Sequence, residues 1–441
     1  MTTPGAELSD RPRAAVGAAT RRTFRSLAVR NYRLFFAGQL VSVSGTWMQQ
    51  VAQSWLVLTL TGSGLDLGVT VALQFLPMLL FGMWGGVVAD RFDKRRILLV
   101  TQGWAAVLAL TLWALAGTGA VELWMVYVLA FLLGMVQMVD MPTRQAFVIE
   151  MVGPDEVPNA VGLNSAMFNA GRLLGPAAAG AVISTAGVAT AFLVNAASYL
   201  AVMAALRAMR PDELHRQVVP TGRSPGQIRE GLHQVWRDPR LRSPLLLVAV
   251  IGTFGFNSQV ILPLLARDAL GGGPRLYGVL TGALGLGSLV GALVAAGRAR
   301  PTRPVLVGSG VAFGVASLVA AAAPGAPAVA VALVAVGASM LLFLATANAM
   351  LQLNSSPAMR GRVMALYGLV FLGSTPVGGP LLGFVAEEWG ARAGLALGGA
   401  VSLAAALGAA AVPLVRRRRP PAGAGGTAGG PAAVDLAPEA A

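Results

Sequence analysis

Apolar residues run along this chain in long, nearly unbroken blocks rather than in alternation. Twelve blocks stand out, at 34–60, 66–89, 97–117, 122–144, 157–184, 187–206, 243–266, 276–297, 304–323, 326–352, 358–385 and 389–414. About 20 residues of helix cross the hydrocarbon of a bilayer, so each block predicts one transmembrane helix. Transmembrane strands would show ~10-residue alternating segments, and none occurs. The pattern predicts an all-α integral membrane protein of twelve spans in two six-helix halves. Residues 1–33 form a basic tail, 34–206 the first bundle and 207–242 a polar central loop holding His215 and His233. Residues 243–414 form the second bundle, and 415–441 an Ala/Gly/Pro-rich tail expected to be disordered.

Composition agrees. Of the 441 residues 55% are hydrophobic and only 12% charged, against about 25% charged in soluble proteins. The net charge of +14 would suggest nucleic acid in a soluble chain. Here the charges lie between apolar blocks, where they meet lipid headgroups and set topology, so membrane lipid rather than nucleic acid is the expected partner. Among the 33 Arg and Lys residues, Arg267, Arg275 and Arg392 follow odd-numbered spans and Arg172 lies inside one. The other 29 occupy the termini and the connections after even-numbered spans. Positive residues mark the cytoplasmic face, which predicts a bacterial inner-membrane protein with both termini inside. Arg21-Arg22 superficially resembles a twin-arginine export signal. The apolar stretch after it is too long for a signal peptide and lacks a small-residue cleavage site, so a basic anchor is the better account.

The halves repeat each other, a known transporter design. Arg30-Asn31-Tyr32-Arg33-Leu34 before span one returns as Arg237-Asp238-Pro239-Arg240-Leu241 before span seven. An offset of 204 carries Gly175-Pro176 onto Gly379-Pro380 and Thr143–Phe147 onto Ala347–Leu351. Between spans two and three the chain reads Gly85-Gly86-Val-Val-Ala-Asp90-Arg91-Phe-Asp93-Lys94-Arg95-Arg96. With Gly86, Asp90, Arg91, Lys94 and the basic cluster in these places, residues 30–415 resemble the major facilitator superfamily. Asp93 departs from that family's usual Gly, and the second-half counterpart, Gly291 to Arg303, has Ala295 for the acid. The resemblance implies a gating loop whose acid faces the start of span eleven. That start, Ser356-Pro357, is expected to be a helix cap with Pro at the first position, whose dipole favours a carboxylate. Asp140 lies ~27 Å along span four, close enough to the same face for Lys94 and Asp140 to pair as the family's residues do.

Span five carries Gly162, Gly171, Gly175-Pro176 and Ala179, a spacing similar to the signature of proton-coupled antiporters in that superfamily, although Ala179 replaces the last Gly. Small residues at such intervals also serve plain helix packing, and Pro kinks the helix. Arg172 sits inside the pattern at mid-membrane, where a cation costs about 2.5–3.5 kcal/mol on the insertion scale and is expected to face a water-filled cavity. Span one shows Gln39, Ser42, Thr46, Gln49 and Gln53 on one helical face, the expected pathway face, with Asn257 of span seven as a further amide.

Several function classes drop out. The chain has no cysteine, hence no thiolate nucleophile and no Cys-ligated metal. Both histidines lie in the central loop and no acid pair falls inside a span, so an enzyme is not expected. The sole lysine, Lys94, is followed by Arg95, so the Gly-Lys-Ser/Thr of a P-loop is missing. No cofactor is expected, and an ion gradient is the expected energy source. Asp140-Met-Pro-Thr-Arg144-Gln-Ala-Phe and Ala160–Pro176 resemble the enterobactin-exporter-like branch, which includes macrolide-efflux-type proteins. That implies a monomeric secondary transporter exporting an amphipathic small molecule (drug, antibiotic or siderophore-like) against protons. An importer or facilitator of a small polar metabolite is the alternative.

Overall fold

The computed structural model describes residues 24–215 and 227–411, apart from 299 and 358. Most of both predicted tails, and residues 216–226 of the central loop, lie outside the described residues. What is described is helical, with no strand among these residues: α1 (Arg30–Thr61), α2 (Gly64–Arg91), α3 (Lys94–Thr118) and α4 (Leu123–Val152). A continuous stretch, Val157–Ala208, breaks at Gly187, whose φ of 82° is left-handed, into α5 (157–186) and α6 (188–208). A short helix of the central loop, α7 (Gln227–Arg237), precedes α8 (Pro239–Gly255) and α9 (Ser258–Leu264). Then follow α10 (Pro274–Ala296), α11 (Arg303–Ala322), α12 (Ala326–Asn354), α13 (Arg360–Trp389) and α14 (Ala391–Ala411).

Among the described residues, ten helices are long and apolar enough to span a membrane. One of them, Pro154–Ala208, contains both α5 and α6. The 32-residue α1 is not among them, because Gln39, Gln49, Gln50 and Gln53 lower its hydropathy. Taking that stretch as two segments and adding α1 gives an order of helices like that of the twelve predicted blocks, although ten rather than twelve meet the criterion of length and hydropathy among the described residues. Trp84, Leu293 and Val331 are 66–73% exposed, the disposition of side chains that face lipid rather than water.

Local chemistry sets the helix ends. Ser63 caps α2 by accepting from the N–H of Asp66 at 3.1 Å, and Asp93 caps α3 by accepting from Arg96 at 3.0 Å. Asp238 caps α8, with Pro239 at the first position. Two expectations fail here. Span eleven starts at Arg360 with Met359 as cap, not at Ser356-Pro357; the Ser356 carbonyl accepts from Met359 and Arg360, closing a turn before the helix. Span seven is two helices, because Phe256 and Asn257 leave helical geometry between α8 and α9, and one π-helical turn, Leu265–Ala269, continues it.

The halves are built alike. In the first, α1 lies between α5 and α6: added Cβ atoms would meet Val43 from Gly171 and Ser198 from Gly45, at 2.6 Å each. In the second, α8 lies between α13 and α14, with Gly252 against Ser374 and Gly398 against the Phe254 carbonyl. Close glycine contacts join α2 to α4 and, at matching places, α10 to α12. The two ends of the molecule differ. The connections α2–α3, α4–α5, α10–α11 and α12–α13 lie at one end, made basic by Lys94, Arg95 and Arg96, by Arg298, Arg300 and Arg303, and by Arg360 and Arg362. There each half keeps a core of its own, Tyr32, Phe35, Phe147 and Met151 in one, Leu241, Leu351 and Val363 in the other. Toward the opposite end a single core takes residues of both halves, among them Trp55, Val260 and Tyr277. There α2 meets α13 through Gly64 and Gly383, and α5 meets α10 through Gly180 and Gly278. This is the sealed end.

Candidate functional site

The charged chemistry of the membrane-spanning part is concentrated in the first half, in two buried groups. The first lies at the basic end. Lys94, at the start of α3, donates to Glu150 Oε1 at 2.7 Å, with side chains 9% and 11% exposed. The expected Lys94–Asp140 pair is therefore not formed. Asp140 is ten residues earlier on the same helix, ~15 Å deeper at 1.5 Å per residue, beyond reach from the helix start. The rest of the basic cluster holds helix ends. Arg95 donates to the carbonyls of Leu206 at 2.7 Å and Arg207 at 3.1 Å, at the C-terminus of α6. Gly86 and Asp90 sit half-buried in the last turns of α2, and Arg91 is exposed. The preceding Gly85 admits a close approach: a Cβ there would strike the Met138 carbonyl of α4, the carbonyl that Pro142 cannot bond.

The second group surrounds Asp140, which is 4% exposed. One carboxylate oxygen accepts from Thr101 Oγ1 at 2.7 Å and from Gln102 Nε2 at 2.8 Å; the other is ion-paired with Arg144 one turn along α4. Arg144 also donates to Gln39 Oε1 of α1 at 3.1 Å. The chain Gln39–Arg144–Asp140–Thr101/Gln102 thus ties three helices together. It is incompletely satisfied: Gln39 Nε2, Gln102 Oε1 and Arg144 Nε are buried without a protein partner. Buried polar groups normally find partners, so this cluster has spare donors and a spare acceptor.

The polar stripe of span one does share a face, but that face looks into its own bundle. Gln39 meets Arg144, and Gln49 accepts from Asn195 of α6 at 2.6 Å. Ser42 and Gln53 are buried, and Thr46 is half-buried with its hydroxyl on the Ser42 carbonyl. The groups that reach the other half lie beside the stripe: Gln259 of α9 donates to Gln50 Oε1 at 3.4 Å, and Trp55 stacks on Tyr277.

In α5, Gly171 and Gly175 press on α1, while Pro176 and Gly180 press on Gly278 and Arg275 of α10; a Cβ on Gly162 would enter open space. The motif thus joins α1 on one side to the opposite half on the other. Arg172 places its guanidinium 5.6 Å from the Trp47 ring centroid, and no carboxylate among the described residues pairs with it. Asn257, at the break in span seven, donates to the Thr253 carbonyl at 2.8 Å, and its Oδ1 is buried without a protein partner. It lines a cavity of about 30 Å³ with Phe254, Ser258 and Phe313, room for one or two waters.

Sequence reasoning left Arg144, Glu150, Gln102 and Gln50 out of the site. The i, i+4 spacing of Asp140 and Arg144 signals an ion pair on one helix face. Glu150 was hidden because the apolar block ends at 144, whereas the helix runs on to Val152.

Two helical bundles of matched construction, each with a central helix clasped by two others, define a transporter of the major facilitator fold. A family model described as "transmembrane secretion effector" matches residues 21–420, and the chain belongs to that family. Similar sequences, a multidrug efflux pump among them, support an efflux-like branch. The multidrug efflux pump Tap of Mycolicibacterium fortuitum is 29% identical over 82% of this chain and 90% of its own length. The staphyloferrin A transporter of Staphylococcus aureus is 26% identical over 59% of this chain, and the match spans 66% of that protein. Among solved structures, a bacterial homologue of the lysosomal transporter Spinster, in an inward-facing occupied conformation, has the same fold. It superposes with a TM-score of 0.68 at 14% identity, over 90% of this chain and 99% of that one. The protein is an integral, multi-pass membrane transporter.

Proposed function

We propose that this chain exports an amphipathic small molecule by proton antiport through alternating access, and that it carries out no enzymatic reaction. It does so in the bacterial inner membrane, with the basic end and both termini in the cytoplasm. The observation that carries this reading is the Asp140–Arg144–Gln39 chain. A buried carboxylate that loses its cationic partner is costly. When Arg144 turns toward a substrate, Asp140 takes up a proton, and it releases that proton when the pair re-forms. The spare donors on Arg144 and Gln39 are the groups a carbonyl-bearing or anionic substrate would engage, with Arg172 and Trp47 as a second cationic and aromatic contact. Separate cores at the basic end and one shared core at the sealed end suit rocking of two rigid bundles about a central site. Asp90 is assigned to the gate of the basic end.

The test is efflux from proteoliposomes holding the purified full chain, with a fluorescent hydrophobic drug as probe. An imposed proton gradient should drive uphill movement; equal counterflow with and without the gradient would instead identify a facilitator. Orientation is tested in cells. Single cysteines at Gly273 and Pro324 should react with an impermeant thiol reagent, and those at Phe92 and Arg300 should not. The opposite pattern overturns the topology.

A further inference from the structure

The connection between α1 and α2, at the sealed end, receives a group from the far side of the molecule. Glu387, in the last turn of α13, accepts through Oε2 from the Ser63 hydroxyl at 2.6 Å and from the Leu65 backbone N–H at 2.9 Å. Ser63 is the residue that caps α2, since its Oγ also accepts from Asp66 N. The first turn of α2 is therefore closed by two groups at once, one from its own half and one from a residue 324 positions away in the other. The contacts around it cross the same divide. Gly64 and Gly68 lie against the backbone at Gly383 and Gly379, and Arg267 donates to the Leu58 carbonyl at 2.5 Å, at the end of α1.

Resting on the alternating-access reading above, we propose that Glu387 is the latch of the sealed end: a positioning residue whose carboxylate holds the two halves together there and must let go in every transport cycle. The reason is thermodynamic. A bond within one half exists in both conformations and cancels from their ratio. A bond between halves exists only while that end is shut, so its whole strength enters the ratio. A carboxylate accepting from a hydroxyl and from a backbone N–H at a helix N-terminus combines a charge-assisted hydrogen bond with a favourable dipole. The site is exposed to solvent, which reduces the effect, so its loss should shift the ratio of shut to open roughly tenfold. The arrangement would be the counterpart, at the opposite end and with the halves exchanged, of the proposed gate, in which Asp90 of α2 serves the start of α13. Each end would then have one carboxylate supplied by one half to the other half's helix.

The experiment uses purified full-length protein in detergent, so neither topology nor substrate enters. The chain has no cysteine, and one is placed at Gln50, which faces α9 across the divide. Its rate of reaction with a maleimide reports opening of the sealed end. Glu387→Gln should raise that rate about tenfold, Ser63→Ala should raise it less, and Glu387→Asp should stay near the parent. Glu388→Gln, the neighbouring exposed acid, is the control and should leave the rate unchanged. Rates are read on the monodisperse fraction only, so a poorly folding variant does not mimic opening. An unchanged rate in Glu387→Gln, or an equal rise in Glu388→Gln, overturns the latch. Failure of proton-driven efflux with a raised labelling rate in Glu387→Gln would overturn the antiport reading and leave the latch standing.

Discussion

The two halves share a scaffold but not a chemistry. α1 and α8 occupy matching places, each clasped by two helices of its own half, and α4 corresponds to α12. Yet α4 carries Asp140, Arg144 and Glu150, whereas the matched stretch of α12 has Leu344, Asn348 and Asn354. Asn348 accepts a hydrogen bond from Gln352 on its own helix and is hydrogen-bonded to Tyr367 of α13, so the matched place holds neutral groups and no ion pair. The gating loop differs in the same direction, with Asp90 in one half and Ala295 in the other. Packing is repeated because both bundles must fill the same volume with helices of the same length. Ionisable groups are not repeated, because each costs free energy in the membrane and persists where a task requires it. The first half is the candidate coupling half, and the second a partner that moves against it.

The halves should differ most at Asp140. Asp140→Asn should abolish proton-driven uphill efflux while downhill exchange of the probe persists, whereas Asn348→Ala in the matched place should stay within about twofold of the parent, as expected where no buried ion pair is touched. Equal losses from both, measured as transport per folded molecule in proteoliposomes, would end the assignment of coupling to the first half. Stability should divide the same way. Lys94→Met or Glu150→Gln leaves one buried charge unpaired and should cost about 3–5 kcal/mol, with much of that recovered when both are replaced by apolar residues. Ser309→Ala in the second half removes a hydroxyl bonded only to its own helix and should cost about 1 kcal/mol or less. Thermal denaturation followed by size exclusion measures both. The effect at the gate is moderate. On the proposed gate assignment, Asp90→Asn removes a charge–dipole contribution of about 0.3–1 kcal/mol, up to ~2 when partly buried, and should slow transport several-fold at equal protein level. Placing the missing acid in the second half, Ala295→Asp, should not accelerate it; an acceleration would mean that the loop's asymmetry has no function.

Much of this was legible in the residues alone, and the physical reason is locality. A block of some 20 apolar residues must form a helix in a bilayer, since no water can satisfy its backbone. Arg and Lys are costly in the hydrocarbon, so most of them collect in alternate connections and mark one end of the molecule. The repeat between halves is written in the register of Gly175-Pro176 and Gly379-Pro380. The tertiary structure alone decided which polar groups meet. Lys94 is neutralised by Glu150 rather than Asp140, because relative depth depends on how far α4 runs past its apolar block. The stripe of Gln39, Gln49 and Gln53 looks inward at Arg144 and Asn195, because a helix's period gives a face but not its rotation against its neighbours. Span seven breaks at Asn257, and Glu387 reaches Ser63 across 324 positions, because both depend on how two bundles of separate sequence come to lie against one another.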